Sequence, residues 1–238
     1  ADNGKPGKVF PHLNIMYKHL KAGKRMMDRF NEFYFTTGLY NYYIEAYPEK
    51  HPAYKPVALL FEKGDKQLGM NQLKYCANHA IFLRVEAKFF VSLLYLNYEN
   101  DLKSASNFAS QLYREFSNNP FYTGKYLEIL LYDQKYFFAP VLLGKLRKMN
   151  DPFADMQYHL FQGMYLEKSE NRLASAKKEY QKALDLSVQY GDFTEHYNAI
   201  AYMGLGRINK KEGNNSQAEK YFRLARNVSV YDYVIEDK

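Results

Sequence analysis

Apolar residues recur along this chain at every third or fourth position, with polar residues between them. This spacing is the period of an amphipathic α-helix. Half-buried strands would show alternating apolar and polar residues, but Val and Ile never alternate with polar residues over a useful length. The pattern therefore predicts an all-α fold.

Short polar breaks divide the helical pattern. At each break a Gly or Asn ends one helix, and an Asp, Asn or Pro starts the next. After Gly64 the breaks leave helices of roughly 12 to 20 residues joined by loops of a few residues, which is typical of antiparallel helix hairpins. Residues 12–46 are expected to form one long helix or two. The breaks are the proline-rich stretch 48–56, Gly64-Asp65, Asn100-Asp101, residues 117–120, 150–152, Gly191-Asp192 and 213–215.

The last helix pair carries a recognisable motif. An aromatic-x2-Leu-Gly segment that starts at Tyr202 on one helix is followed on the next helix by Ala-x3-Phe-x2-Ala, which starts at Ala218. These spacings resemble the tetratricopeptide repeat (TPR) pattern, aromatic-x2-Leu-Gly-x2-Tyr and then Ala-x3-Phe-x2-Ala. Asn209 departs from that pattern, since an aromatic residue is usual there. Small residues at the Gly and Ala positions allow neighbouring helices to approach closely. The matching residues are Tyr202, Leu205, Gly206, Ala218, Phe222 and Ala225.

The preceding hairpin repeats this motif with Gly163, Ala176, Tyr180 and Ala183, and Ala176 lies 42 residues before Ala218. The link from Ala183-Leu184-Asp185-Leu186 to Gly191-Asp192 resembles that of the long-period, about 42-residue variety of TPR proteins. The resemblance covers residues 154–229. It implies an all-α, right-handed superhelical array of antiparallel helix hairpins, a TPR-like α-solenoid.

We expect three regions within one continuous array. Residues 151–238 contain the two recognisable hairpins and a C-terminal tail. Residues 82–150 form degenerate hairpins in which Ala105 and Ala109 keep the spacing. Residues 1–81 are a divergent helical region, weakly similar to the N-terminal part of an uncharacterised bacterial TPR-like group through Gly38, Gly64 and Gly69.

Composition narrows the class of protein. The 238 residues are 47% hydrophobic and 25% charged, which fits a folded globular chain, and the 24 Tyr and 17 Phe favour thick packed helix layers. Cys76 is the only cysteine, which excludes an intrachain disulfide and a multi-cysteine metal site. No apolar run is long enough for a transmembrane helix. The chain starts at Ala1, so a cytoplasmic location and export after signal removal are both open.

No catalytic, cofactor or metal site is expected, so the chain is predicted not to be an enzyme. The six His residues have no metal-ligand spacing, and Cys76 with His79 is a chance pair of nucleophile and base. Phosphate-binding and nucleophile-elbow motifs are absent from the sequence. The helical carboxylates are expected to be solvated or paired with lysines: Glu86, Glu99, Glu128 and Asp133.

The TPR resemblance implies a concave groove, lined by the first helix of each hairpin, that binds a peptide or protein. The sequence lacks the Lys/Asn/Lys/Arg arrangement of TPRs that clamp a C-terminal carboxylate, so a chaperone adaptor is not expected. We predict a protein-interaction scaffold; a sensor or adaptor segment of a larger regulatory system is an alternative. The predicted groove residues are Gln157, Leu160, Met164, Glu167, Ile200, Met203, Arg207, Lys210 and Lys211.

A second alternative comes from charge. Residues 1–150 carry 21 Lys and Arg against 13 Asp and Glu, while residues 151–238 carry 12 against 13. Near the start, an apolar stripe from Met16 to Tyr34 predicts an amphipathic helix with a basic opposite face. That face is either solvated or binds a polyanion such as nucleic acid or an anionic membrane, although no nucleic-acid motif accompanies it. Its residues are Lys18, Lys21, Lys24, Arg25 and Arg29.

The chain continues past the Phe222 helix with Tyr231, Tyr233, Val234 and Ile235, which leave little room for another helix. A helical array needs its last apolar face covered. We therefore expect this tail to fold back over the last hairpin or to pack against a second copy in a homodimer.

Overall fold

The computed structural model describes residues 13–237, and all regular structure in that range is helical. The all-α prediction is confirmed. Neighbouring helices pack in pairs, so the chain is a TPR-like helical array. None of the described helices combines the length and the apolar character needed to cross a bilayer.

The helices belong to two compact units, the first ending at Leu94 and the second beginning at Tyr95. The first unit contains α1 (Leu13–Lys24), α2 (Phe33–Lys50), α3 (Lys55–Ala58), α4 (Lys66–His79) and most of α5 (Arg84–Asn97). The second contains α6 (Leu102–Glu115), α7 (Pro120–Tyr132), α8 (Ala139–Arg147), α9 (Pro152–Lys168), α10 (Leu173–Ser187), α11 (Glu195–Lys211), α12 (Asn215–Val228) and α13 (Asp232–Ile235). Short 3-10 turns precede α3, α8 and α11 at Pro52–Tyr54, Tyr136–Phe138 and Val188–Thr194.

The polar breaks act as helix caps, as the sequence predicts. The carboxylate of Asp101 accepts a hydrogen bond from the amide of Ser104 at 2.9 Å, which satisfies a donor that the first turn leaves unpaired. Asn100 and Asn150 have φ of 51° and 48°, the left-handed conformation that ends a helix sharply. The same side-chain capping starts α4, α7 and α9, at Asp65, Asn119 and Asp151.

The expected continuous stripe from Met16 to Tyr34 is wrong. The helix ends at Lys24, residues 25–29 form turns, and α2 begins at Phe33. The ring of Phe33 occupies the space beside Gly23, with Cδ1 only 2.6 Å from where a Cβ would be, so the chain folds back on itself here. The alternative of two helices over residues 12–46 is confirmed, and the side chain of Met16 lies outside the described residues.

In the first unit, α2 and α4 approach each other through two glycines. A Cβ on Gly69 would lie 2.5 Å from the amide nitrogen of Tyr42 and 2.7 Å from the carbonyl oxygen of Gly38. Both neighbours are backbone atoms, which cannot rotate away. The glycines therefore set the distance between these helices.

In the second unit, glycines instead make room for aromatic rings. The buried ring of Tyr180 on α10 lies against Gly163 of α9 and against Gly204 of α11. In the next hairpin the ring of Phe222 on α12 fills the space beside Gly206 on α11. Tyr180 thus packs between two consecutive first helices. The predicted small positions Ala176, Ala183, Ala218 and Ala225 are all buried in this core.

We expect Gly69→Ala to lower the free energy of unfolding by roughly 1–3 kcal/mol, because the added methyl group would push α2 away from α4. The matched control is Gly144→Ala in α8, where nothing lies within 4 Å of the added Cβ. That change should raise the free energy of unfolding by about 0.5–1 kcal/mol, since Ala favours a helix over Gly. Urea unfolding of both variants checks the pair; equal effects would contradict the close approach.

Candidate functional site

The strongest candidate site is a face of the second unit formed by α7, α9 and α11. We call it the first-helix face, because these are the first helices of three consecutive hairpins. The C-terminal residues 230–237, which we call the tail, lie against this face and include the single turn α13. Two polar clusters and the apolar contacts between them hold the tail there.

The first cluster centres on Glu167 of α9 and Arg207 of α11. Two nitrogens of the guanidinium, Nε and Nη2, each donate to a different carboxylate oxygen of Glu167 at 2.7 Å. The hydroxyl of Tyr180 donates to the same carboxylate at 2.7 Å. Burial alone would lower the pKa of Arg207, but the hydrogen bonds and charge of Glu167 outweigh it and raise that pKa. The guanidinium is therefore a permanent buried cation.

Asp237 of the tail completes this cluster. Nη1 of Arg207 donates to the backbone carbonyl of Asp237 at 2.6 Å and to its carboxylate at 2.9 Å. The ammonium of Lys168 donates to the same carboxylate at 2.6 Å. Burial and the charge of Arg207 lower the pKa of Lys168, although Asp237 acts in the opposite direction. The face therefore presents two cations to a single carboxylate.

The second cluster surrounds Glu128 of α7, which is fully buried. Its carboxylate accepts hydrogen bonds from Lys125 Nζ at 2.6 Å and from the hydroxyl of Tyr233 in the tail at 2.9 Å. His196 Nε2 lies 2.7 Å from the same carboxylate. Burial alone would raise the pKa of Glu128, but the charges of Lys125 and His196 outweigh it and hold the pKa at about 2. Glu128 is therefore ionised at neutral pH.

Between the clusters the tail makes apolar contacts. Val234 is completely buried in the core of the second unit, and the ring of Tyr233 packs edge-on against Tyr132 at 4.9 Å between centroids. Some polar atoms of the face stay unsatisfied: the hydroxyl of Tyr132, Oε1 of Gln157 and Nδ1 of His196 are buried without a hydrogen-bond partner among the described residues. The tail thus contacts the face through Tyr233, Val234 and Asp237 but leaves these polar atoms of the face unpaired.

The structure brings most of the predicted groove residues together between α7, α9 and α11, but they are buried. Arg207 binds two carboxylates of its own chain, those of Glu167 and Asp237. Gln157 donates to the hydroxyl of Tyr197 at 3.3 Å and packs beside Gly124 of α7. Lys210 and Lys211 at the end of α11 are exposed. The buried members are Gln157, Leu160, Met164, Glu167, Ile200, Met203 and Arg207.

The predicted basic residues are all exposed in the first unit. Three of them, Lys18, Lys21 and Lys24, lie on α1, whereas Arg25 and Arg29 lie in the turns that follow it. Lys21 is paired with Glu62 at 2.7 Å. The structure therefore does not gather the five charges on one helix face.

The Cys76 thiol, the possible metal ligands and the helical carboxylates are the groups that the sequence offers for chemistry. Burial raises the pKa of the Cys76 thiol to about 11, so the thiolate form needed for nucleophilic attack is disfavoured. Within residues 13–237 there is no group of three His, Cys, Asp or Glu side chains placed to hold a metal ion. Asp133 pairs with Lys135 and Glu128 with Lys125, so the alternative of pairing with a lysine is confirmed for these two carboxylates. Glu128 is buried rather than solvated.

The first unit contains an apolar cavity of about 820 Å³ that the sequence did not indicate. Side chains from α1, α2 and the stretch around α3 line it, among them Tyr17, Tyr40, Tyr47 and Phe61. The Tyr40 hydroxyl donates to the backbone carbonyl of Glu62 at 2.5 Å beside it. These residues come together only because the chain reverses between α1 and α2.

Sequence reasoning also missed the second polar cluster. A signal was present, because Glu128 stands within the apolar run Leu127 to Leu131, where a solvated carboxylate is out of place. His196 and Tyr233 lie 68 and 105 residues away from Glu128, and no local spacing links them. Only the tertiary fold shows that they meet.

Comparisons with known proteins add little to this picture. No protein-family model and no curated protein matches the chain. A solved structure, the MamA RS-1 ArsTM double mutant, is similar with 16% identity and a TM-score of 0.45, covering 77% of this chain and 94% of that one. The description of the fold as TPR-like therefore rests on the helix pairs and their small-residue packing.

We expect Glu128→Gln to lower the free energy of unfolding at pH 7 by roughly 2–5 kcal/mol, because Lys125 loses its buried counter-charge and the Tyr233 hydroxyl loses a carboxylate acceptor. The pKa of Glu128 is lowered from 4.5 to about 2, so its contribution is complete above about pH 4.5 and is lost as the pH falls towards 2. The difference between variant and wild type should therefore shrink in urea unfolding at pH 3.

The control for this prediction is Glu219→Gln on α12, whose side chain is 75% exposed. It should change stability by less than about 0.5 kcal/mol at either pH. A Glu128→Gln penalty that is equally large at pH 3 and pH 7 would show that the carboxylate charge is not its source.

Proposed function

We propose that the chain is a non-enzymatic scaffold that binds a peptide or protein partner on the first-helix face of the second unit. The observation that carries this proposal is the tail itself. A short segment with one helical turn is held there by side-chain hydrogen bonds, ion pairs and one buried aliphatic residue, which is how a peptide ligand is held in a groove.

The chemistry of the face supports recognition rather than catalysis. Its strongest polar groups form complete ion pairs, Glu128 with Lys125 and Glu167 with Arg207. A general acid or base needs a proton that it can exchange near the working pH, whereas Arg207 and Glu128 keep their charges throughout the neutral range. Fixed charges of this kind orient a bound carboxylate or hydroxyl.

The repeat pattern agrees with a binding role. The equivalent residues Ala176 and Ala218 occupy α10 and α12, and both are buried in the core of the second unit. Such hairpin arrays expose extended surfaces to partners. The similarity of the N-terminal third to a bacterial TPR-like group stays a prediction.

The test is capture from the native source with the immobilised full chain at about 50 mM and about 300 mM salt, concentrations that separate polyanion binding from apolar anchoring. Lys168→Glu reverses the half-buried cation of the face; Lys220→Glu reverses an exposed lysine on α12. We expect a protein retained at both salts by wild type and Lys220→Glu, and at least about tenfold less of it with Lys168→Glu.

Two results would contradict the proposal. One is equal retention of the same proteins by both charge-reversal variants. The other is retention of nucleic acid or lipid alone, released at the higher salt, which would favour the exposed lysines of α1 instead. Circular dichroism of each variant confirms that a loss is not caused by unfolding.

A further inference from the structure

We propose that the first-helix face accepts an acidic segment with a tyrosine four residues before a carboxylate, and that the tail holds the place of this partner until the partner displaces it. This inference rests on the proposed function and names both the class of partner and the way in which access is controlled. The contacts of the tail residues with the face indicate which residues a partner needs.

The face has two polar poles that the tail reaches with residues four positions apart. The hydroxyl pole consists of Glu128 and His196 around the hydroxyl of Tyr233. At the carboxylate pole, Arg207 and Lys168 surround Asp237. An aromatic hydroxyl and a carboxylate with this spacing are needed to satisfy both poles at once.

Between the two poles, the face buries an apolar side chain of the tail. Val234 is fully buried directly after Tyr233, so an aliphatic residue is expected at the matching position of a partner. Glu236 is exposed, so that position places little demand on the partner sequence. The motif is therefore Tyr-aliphatic, then a partly buried position and an exposed one, and then an Asp or Glu.

Charge complementarity gives the reason for an acidic partner. Glu128 is balanced by Lys125, and Glu167 is balanced by Arg207, both within the face. Lys168 is the additional cation, and its ion pair is with the tail. Without a carboxylate from the tail or from a partner, two cations, Lys168 and Arg207, would stand close together with the single carboxylate of Glu167.

Several features make the tail exchangeable. Its helix has only four residues, too few for a helix that is stable without tertiary contacts. The two tail residues that reach the poles, Tyr233 and Asp237, are held by contacts with side chains of the face. The buried polar atoms of Tyr132, Gln157 and His196 remain unpaired with the tail in place, and a buried polar atom without a hydrogen bond is unfavourable. A partner that forms a hydrogen bond with one of these atoms would bind the face more tightly than the tail does.

The experiment uses the full chain and a labelled synthetic peptide spanning residues 229–237, followed by fluorescence anisotropy. A tail-release variant, Tyr233→Phe with Asp237→Asn, weakens both poles while keeping Val234. We expect this variant to bind the peptide at least about tenfold more tightly than wild type, because its own tail competes less well. Hydrogen exchange of the wild-type chain should show loss of protection at residues 230–237 once the peptide concentration exceeds the roughly millimolar effective concentration of the tethered tail.

Substituted peptides provide controls that do not disturb the protein. The peptide with Asp237→Asn should bind about tenfold more weakly, and the one with Tyr233→Phe should also lose affinity. The matched control peptide, Glu236→Gln, should bind as the parent does, since that side chain is exposed in the tail.

Three outcomes would overturn the inference: no saturable binding of the peptide by the tail-release variant, equal affinity of the Asp237→Asn and Glu236→Gln peptides, or a dimer that the peptide dissociates. The last would assign the face to the tail of a second copy instead of an outside partner. If the peptide fails while capture in the native source still depends on Lys168, the proposed function stands and only the tail-like partner is excluded.

Discussion

The second unit depends on the buried ion pair between Glu167 and Arg207. Two charged groups out of water destabilise a fold unless each meets the other with good geometry, and here the guanidinium binds both carboxylate oxygens. That requirement fixes how α9 and α11 lie against each other. Tyr180 strengthens the arrangement, because its ring packs between glycines of the two helices while its hydroxyl reaches Glu167.

The position of the tail follows from the same pair. Arg207 uses Nε and Nη2 for Glu167 and keeps Nη1 for the tail, so the interaction that joins the first helices also creates the site for a carboxylate. The buried pair is thus both a contact between helices and half of the proposed recognition site. A change at Arg207 would alter helix packing and tail binding together, whereas the half-buried Lys168 affects mainly the tail.

The sequence predicted those parts of the structure that depend on short spacings. Asp65 and Asp101 start helices because their side chains cap the first turn, and the small residues Ala176 and Ala218 mark helix contacts. The continuous helix through Gly23 failed because a tertiary contact with Phe33 replaced it. Seven of the predicted groove residues are buried, most of them between packed helices and Arg207 also beneath the tail, and no periodicity specifies these tertiary contacts.

Only three residues, 229–231, separate the end of α12 from the start of α13 in the tail. A segment tethered so closely behaves as a ligand at an effective concentration in the millimolar range, whatever the amount of protein in solution. An outside segment with equal intrinsic affinity would therefore occupy few molecules at micromolar concentration. Occupancy becomes sensitive to anything that adds binding energy elsewhere on the partner, so the short tether favours large or multivalent partners over isolated peptides.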